Sequence, residues 1–337
     1  MTSLLGALRP LKEHNPELVL AVAGCVATQE GERLLRRAPQ LDLILGPDQV
    51  GQIAAMVADV RDRRTNESNS AAERRVVDVA MVDRKAYEFV VPEPPQDRRV
   101  TSFVTVMKGC NKFCSFCIVP TTRGREVSKP TASVVAEARM LADHGVREIT
   151  LLGQNVNSYG NDRRDEADFT GLIEAVSAVE GIERIRFTTS HPMDCSDRLI
   201  DAFARLPKLM PSFHLPIQSG SERVLRMMRR RTVIEDYVAR IERLRQARPD
   251  IAMTTDIIVG FPGETDDDFE ETMALLQRVR YASIFSFSYS PRPGTAAARI
   301  DDDVLGPLKK ARLHRVQALQ NAISSEWLTS FAGAELA

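Results

Sequence analysis

From Val100 onward, short apolar runs alternate with longer stretches whose apolar residues recur every three or four positions. The runs are SFVTVMKG (102–109), REITLLGQN (147–155), RIRFTTS (184–190), SFHLPIQS (212–219), AMTTDIIVG (252–260) and SIFSFSYS (283–290), each read as a strand. Between them TASVVAEARMLADHG (131–145), FTGLIEAVSAVEG (169–181), SDRLIDAFARLP (196–207), IEDYVARIERLRQARPD (234–250) and TDDDFEETMALLQRVR (265–280) read as helices, and the stretch 302–328 supplies the last one. In TASVVAEARMLADHG, Val134, Val135, Ala138, Leu141 and Ala142 share one helical face, with Gly145 as the stop. Six strand–helix alternations predict an α/β fold with a parallel sheet and right-handed crossovers, as an open doubly wound sheet or a partial barrel. Runs such as ITLL and DIIV do not alternate, which predicts strands covered on both faces.

Ahead of this rhythm, residues 1–61 read as a smaller α/β domain. LVLAVAGC (18–25) and LDLILGP (41–47) are strand-like, and TQEGERLLRRA (28–38) is helix-like. RDRRTNESNSAAERR is polar and aperiodic, so 62–99 is expected to be an exposed linker with little apolar surface to bury. The rhythmic core occupies 100–325 and a short stub 326–337. Charge is nearly balanced, at −1 in total, which leaves local basic patches open. No apolar run is long enough for a membrane span and the first residues lack a secretory pattern, so the expectation is a cytoplasmic chain with no membrane partner. In a reducing compartment, five cysteines point to a metal or to catalysis rather than to disulfides.

Each strand is followed by a polar or Gly/Pro-rich loop: GCNKFCSFC, GQNVNSYG, SHPMD, QSGSE, GFPGE and SPRPGT. In parallel α/β folds the carboxyl ends of the strands form one rim where sites are built. Cys110, Cys114, Cys117, Gln154, Asn155, His191, Gln218, Asp256 and the Gly260 turn are therefore expected at one mouth. Thiolates bind soft metals or iron–sulfur clusters. Structural zinc takes four protein ligands, whereas a cubane held by three thiolates keeps one iron free for a small molecule. Zinc with a distant fourth ligand remains a second reading, and a zinc-stabilised RNA-binding module without catalysis is the matching alternative function.

The C-x3-C-x2-C loop after the first strand of a six-unit α/β chain resembles the signature of radical S-adenosylmethionine enzymes. The longer strings GCNKFCSFCIVPTTRGREVSKP, LLGQNVNSYG, FTTSHP, LPIQSGSERVLRMMRR and IVGFPGETDDDFEET resemble the methylthiotransferase branch, in its tRNA-modifying (MiaB) type. That resemblance implies a partial (β/α)6 TIM-like barrel after an incomplete N-terminal α/β domain. It implies a [4Fe-4S] cluster on Cys110, Cys114 and Cys117, and S-adenosyl-L-methionine on the free iron. The implied substrate is tRNA carrying isopentenylated adenosine, methylthiolated at C2 beside the anticodon; an electron donor and a sulfur source are implied partners, and a monomer is expected. A ribosomal-protein aspartate, the substrate of the sister type, is the alternative, but GQN (153–155) stands where that type reads closer to AQD. Gln154, Asn155, Gln218, Asp256, Gly260 and Arg125 are the candidate cofactor contacts, with Asp256 facing the ribose hydroxyls and Gln154 and Asn155 near the methionine amine. The family carries a second cluster on three separated cysteines, of which Cys25 in GCVATQEGE matches the third, so this chain alone does not build it. The chain is expected to bind one cluster and cleave S-adenosylmethionine without completing methylthiolation alone, and the resemblance leads to the expectation that it also lacks the family's C-terminal RNA-gripping β-barrel domain. Cys195 reads as a bystander thiol. Arg223, Arg226 and MRRR (228–231) form a basic helix region suited either to solvent or to phosphates, and Phe116 and Tyr159 are candidates for base stacking or core packing.

Overall fold

The computed structural model describes residues 2–333 apart from positions 67, 69, 71, 85, 86, 91, 98 and 164. The chain divides into two compact units, one formed by Met1–Val90 with Ile118–Arg125, the other by Val91–Cys117 with Glu126–Ala337.

The first unit is a three-stranded parallel sheet, β1 (Ala21–Ala23), β2 (Leu43–Leu45) and β3 (Val76–Asp78), with helices α1 (Thr2–His14), α2 (Cys25–Glu30), α3 (Arg33–Arg37), α4 (Ile53–Thr65) and α5 (Val119–Thr122). Leu34, Leu41 and Ile44 are fully or almost fully buried at its centre. Two expectations change here. The helix read over 28–38 is split by Gly31, whose φ of 51° is left-handed, so α2 starts as early as Cys25. The stretch read as a linker, 62–99, contains the end of α4 and the third strand. Val76, Val77 and Val79 give that segment enough apolar surface to pack on the two cores of the unit. Several residues of 62–99, and positions 334–337 of the expected C-terminal stub, lie outside the described residues.

The second unit opens with β4 (Thr101–Thr105), then β5 (Met107–Lys108) paired antiparallel with β6 (Val127–Ser128), a hairpin the sequence reading missed. It continues with α6 (Thr131–Asp143), β7 (Glu148–Leu152), α7 (Phe169–Ser177), β8 (Arg184–Thr188), α8 (Asp197–Arg205), β9 (Ser212–His214), α9 (Glu222–Met227), α10 (Ile234–Ala247), β10 (Ala252–Val259), α11 (Asp266–Val279), β11 (Ser283–Ser288) and α12 (Gly306–Thr329). The strands pair in parallel as β4-β7-β8 and β9-β10-β11, and a bridge from Ile185 to Leu209 joins the two trios. Six parallel strands in chain order with helices between them make a partial (β/α)6 barrel, one of the two forms the alternation left open and the one the family resemblance implied. Among the described residues no helix is long and apolar enough to cross a membrane.

Burial alternates along these strands, contrary to the two-sided covering expected from the apolar runs. Val104, Ile149, Leu151, Ile185, Phe213, Met253 and Ile257 are buried with Val134, Leu172, Ile241 and Leu276 of the helices. The register puts Phe103, Thr150 and Arg186 on the opposite face, along with Thr254, Asp256 and Phe285, and Phe103 and Phe285 are 71% and 58% exposed. A six-stranded partial barrel does not fill its inner face with side chains as a closed one does, so that face stays open. The buried face is tightened by an aromatic cluster in which Phe187 meets Phe169 and Phe213 edge to face at 5.0 and 5.2 Å between centroids. Each such pair adds about 1 kcal/mol beyond its buried area.

Candidate functional site

The cysteine loop begins at Gly109, whose φ of 76° turns the chain sharply out of the hairpin. The Gly109 N–H donates to Gln154 Oε1 at 2.6 Å, so the loop after β7 holds the entry to the cysteine loop. Ser115 anchors the middle: its N–H donates to Met228 O at 2.9 Å and its hydroxyl to Met227 O at 2.9 Å, while Ala297 N–H donates to Ser115 O. Phe116 packs on the barrel core, as the plainer reading of it had it. Pinned from inside in this way, the loop leaves Cys110, Cys114 and Cys117 half-buried and outside any disulfide.

Burial pushes the Cys110 thiol up to about 12, with Glu126, Cys114 and Cys117 acting in the same direction against a backbone N–H from Lys112. A metal cluster takes the place of the proton on such a thiol when it binds. Arg230, 5% exposed, brings its Nη1 to 3.7 Å from Cys114 Sγ and gives Nη2 to Pro216 O at 2.5 Å, while its Nε has no partner. A buried cation beside a thiol suits an anionic thiolate–cluster assembly. Among the described residues no three His, Cys, Asp or Glu side chains are gathered to hold one metal ion. A cluster that takes each thiolate on a different iron is compatible with that spread.

The other rim loops are tied to this one. Asn155, 2% exposed, donates from Nδ2 to Asp194 Oδ2 at 2.8 Å, and its Oδ1 is buried without a partner. Asp194 also accepts from Lys112 Nζ at 2.7 Å, and Glu126 accepts from both the backbone and side-chain nitrogens of Asn111 at 3.1 Å. His191 is fixed by its main chain, which exchanges hydrogen bonds with the Asn157 amide at 2.8 and 3.0 Å, and its Nδ1 accepts from Met193 N–H at 3.2 Å. Burial, and then the charges of Arg230 and Lys112, lower its pKa to about 2, so the ring is neutral. Tyr159 is buried, its hydroxyl donating to Lys129 O at 2.5 Å, and offers no ring to a base.

On the far side of the rim, Gln218 takes a left-handed φ of 82° and its backbone exchanges hydrogen bonds with Asp256 O and Ile258 N, both at 2.9 Å. Asp256 lies on the open face of β10, with His214 Nε2 at 3.4 Å from Oδ1. Gly260 has a φ of 68°, and a Cβ there would lie 2.3 Å from Lys309 Cγ, so its Cα faces the α12 side chain. Arg125 closes the segment Ile118–Arg125, which groups with the first unit. Cys25 opens α2 in that same unit and accepts a hydrogen bond from Arg123 Nε at 3.0 Å. Cys195 is buried and burial pushes its thiol up to about 12.

Glu126, Lys112, Asp194, Arg230 and His214 were not singled out as site residues from the sequence. The first four lie inside the strings GCNKFC, TTRGREV, SHPMD and MRRR, whose spacing carried a signal but whose partners sit 15 to 116 positions away.

The sequence model of the Radical SAM superfamily matches residues 104–276. A tRNA-2-methylthio-N(6)-dimethylallyladenosine synthase of Syntrophotalea carbinolica is 48% identical over 96% of this chain and 72% of its own length. One from Myxococcus xanthus is 49% identical over 100% of this chain and 71% of its own. Among solved structures, the cobalamin-dependent S-adenosylmethionine radical enzyme OxsB, with aqua-cobalamin and S-adenosylmethionine bound, superposes with a TM-score of 0.57 at 13% identity, over 94% of this chain and 45% of that one, which speaks to the fold alone. With half its length matched by the superfamily and nearly all of it by relatives about half identical, the chain belongs to the radical SAM superfamily, in the family of tRNA-2-methylthio-N(6)-dimethylallyladenosine synthases.

Proposed function

We propose that this chain is a tRNA methylthiotransferase acting at C2 of N6-isopentenyladenosine beside the anticodon, with a [4Fe-4S] cluster on Cys110, Cys114 and Cys117 and S-adenosylmethionine as co-substrate. The observation that carries the reading is the pinned loop of three half-buried thiols beside the buried Arg230, in a chain about half identical to curated synthases of that name. When bound, the cluster supplies one electron that breaks a C–S bond of S-adenosylmethionine and frees a radical able to take hydrogen from the substrate carbon.

The chain's own residues do the rest by position and charge. Ser115 and Gln154 hold the cysteine loop, and Arg230 offsets the negative charge that three thiolates bring. Asn155 offers a buried amide oxygen with no other partner, an acceptor for an ammonium group such as the methionine amine. Asp256, held beside His214 on the open face, is an acceptor for ribose hydroxyls. Gln154 and Gly260 act through the loops they shape. Cys25, a single thiol beside Arg123, is not a cluster ligand set by itself. The reading is of a cytoplasmic monomer supplied with electrons by a reducing partner and with sulfur by a donor.

The test is anaerobic reconstitution with iron and sulfide. About four irons per chain are expected, with a broad brown absorbance, release of 5′-deoxyadenosine on reduction, and loss of iron in Cys110→Ala. A protein that takes up only zinc, or that reduces and binds S-adenosylmethionine without releasing deoxyadenosine, refutes it.

A further inference from the structure

The rim carries a concentration of cations on one side of the cysteine loop. The end of α9 and the residues after it contribute Arg226, Arg229 and Arg231, and the loop contributes Lys112 and Phe113. They line an open cavity of about 640 Å³ together with Met193, and no acidic residue is among its lining. The nearest carboxylate to Arg226 is that of Glu222, at 3.8 Å and itself 41% exposed.

Two of these residues hold a backbone conformation that ordinarily belongs to glycine. Arg229 has a φ of 58° and Phe113 a φ of 49°. At Arg229 the cause is visible: Arg230 N–H donates to Leu225 O at 2.8 Å and Arg229 N–H to Arg226 O at 3.0 Å, the paired bonds of a Schellman helix end. Glycine is the usual residue at that left-handed position, and a side chain there costs folding free energy. An arginine and a phenylalanine both kept at such positions, both facing one cavity, indicate that the side chains are used.

We propose that this cavity docks an unpaired stretch of the RNA substrate, with Arg226, Arg229 and Arg231 on its phosphates and the Phe113 ring, 37% exposed, stacked on a base. The proposal rests on the reading that the substrate is tRNA and gives that reading a surface. Several guanidinium groups lining one cavity without a carboxylate suit a phosphate backbone, and an aromatic ring in the same lining suits bases splayed from a single-stranded loop. Because Phe113 directly precedes Cys114, RNA held here lies beside the thiols.

The experiment is fluorescence anisotropy of a labelled anticodon stem–loop on the reconstituted chain, titrated across salt. The Arg229→Gly change gives the helix end its preferred residue, so the thermal midpoint is expected to hold or rise. Combined with Arg231→Gln it is expected to weaken binding roughly tenfold near 0.15 M salt and to reduce the slope of log K against log salt by about 1.4, since each single-strand phosphate contact contributes about 0.7. Phe113→Leu, as strained as the parent but without the ring, is expected to weaken binding roughly 5- to 100-fold with the slope unchanged. Unchanged affinity in these variants, a midpoint that falls along with affinity in Arg229→Gly, or displacement of the RNA by poly-glutamate at equal charge overturns the proposal. Such results leave the methylthiotransferase reading standing if the parent still binds the iron–sulfur cluster and releases 5′-deoxyadenosine on reduction. Failure of the parent to bind RNA at all removes both.

Discussion

His191 gives the sharpest pH prediction. The ring is 6% exposed and faces the cations Arg230 and Lys112, so burial and then those charges depress its pKa from 6.5 to about 2. A base whose folded pKa lies below its unfolded one is neutral in the native state and protonated in the unfolded state as pH falls. Its stabilising contribution is therefore complete above about 6.5 and drains away below it, by up to about 1.4 kcal/mol per pH unit. Integrated between pH 7 and pH 5 this comes to about 2 kcal/mol. His191→Gln removes the titration but keeps the two bonds to Asn157, which use the main chain of residue 191. Urea unfolding of the parent and the variant at pH 7, 6 and 5 should show the parent losing about 2 kcal/mol more than the variant. Parallel profiles, or an NMR titration placing the His191 ring near its ordinary 6.5, would contradict the burial of the ring near these cations.

Asp268 links the loops after β9 and β10. It accepts from Arg223, from Thr265 N–H at 2.8 Å and from the hydroxyls of Thr265 and Ser221 at 2.7 Å. Burial acts to raise its pKa, but the hydrogen bonds from Arg223, Thr265 and Ser221 outweigh it and hold the carboxyl well below its ordinary 3.8, so its contribution is lost only as pH falls below about 4. Asp268→Asn keeps the Thr265 bonds and returns the half-exposed Arg223 to water, for about 2 kcal/mol; Asp268→Ala leaves Ser221 and the helix start unsatisfied, for about 4 kcal/mol. Thermal midpoints should drop by roughly 5 and 10 °C, and equal, small drops would show that the capping box alone matters. A Cβ on Gly220 would meet Glu271 O and Thr272 Cα of α11 at 2.5 Å, so Gly220→Ala should cost about 1–3 kcal/mol by urea unfolding. Gly6, inside α1 with nothing within 4 Å of an added Cβ, should instead gain about 0.5–1 kcal/mol on the same change. Equal effects at the two glycines would count against the close approach at Gly220.

The barrel was legible because its signals are local. Each strand and helix carries its own period, and the gap from Cys110 to Cys117 is a fact of sequence. The open inner face was not legible: ITLL and DIIV are apolar throughout, and only register shows that Thr150, Leu152 and Ile258 fall on the side away from the helices. The strand Val76–Asp78 was missed for the opposite reason, since the short run VVDVAMV (76–82) follows a long polar stretch and carries too few positions to show a period. Within the site, positions next to the cysteines were visible, whereas the partners that hold them depend on long-range contacts. Ser115 is held by Met227 and Met228, and Lys112 by Asp194, pairs that no spacing rule brings together.

The alternation of burial along β4, β7, β8, β10 and β11 divides labour between two sets of positions. Outward residues such as Ile149, Phe187 and Ile257 carry the cohesion of the domain and tolerate little change. Their inward neighbours Thr150, Arg186 and Thr254 are already wet, so exchanging them alters what the hollow accepts at small thermal cost. A scaffold arranged this way can drift in selectivity without drifting toward unfolding, and a library confined to those inward sites would sample new specificities on an intact frame.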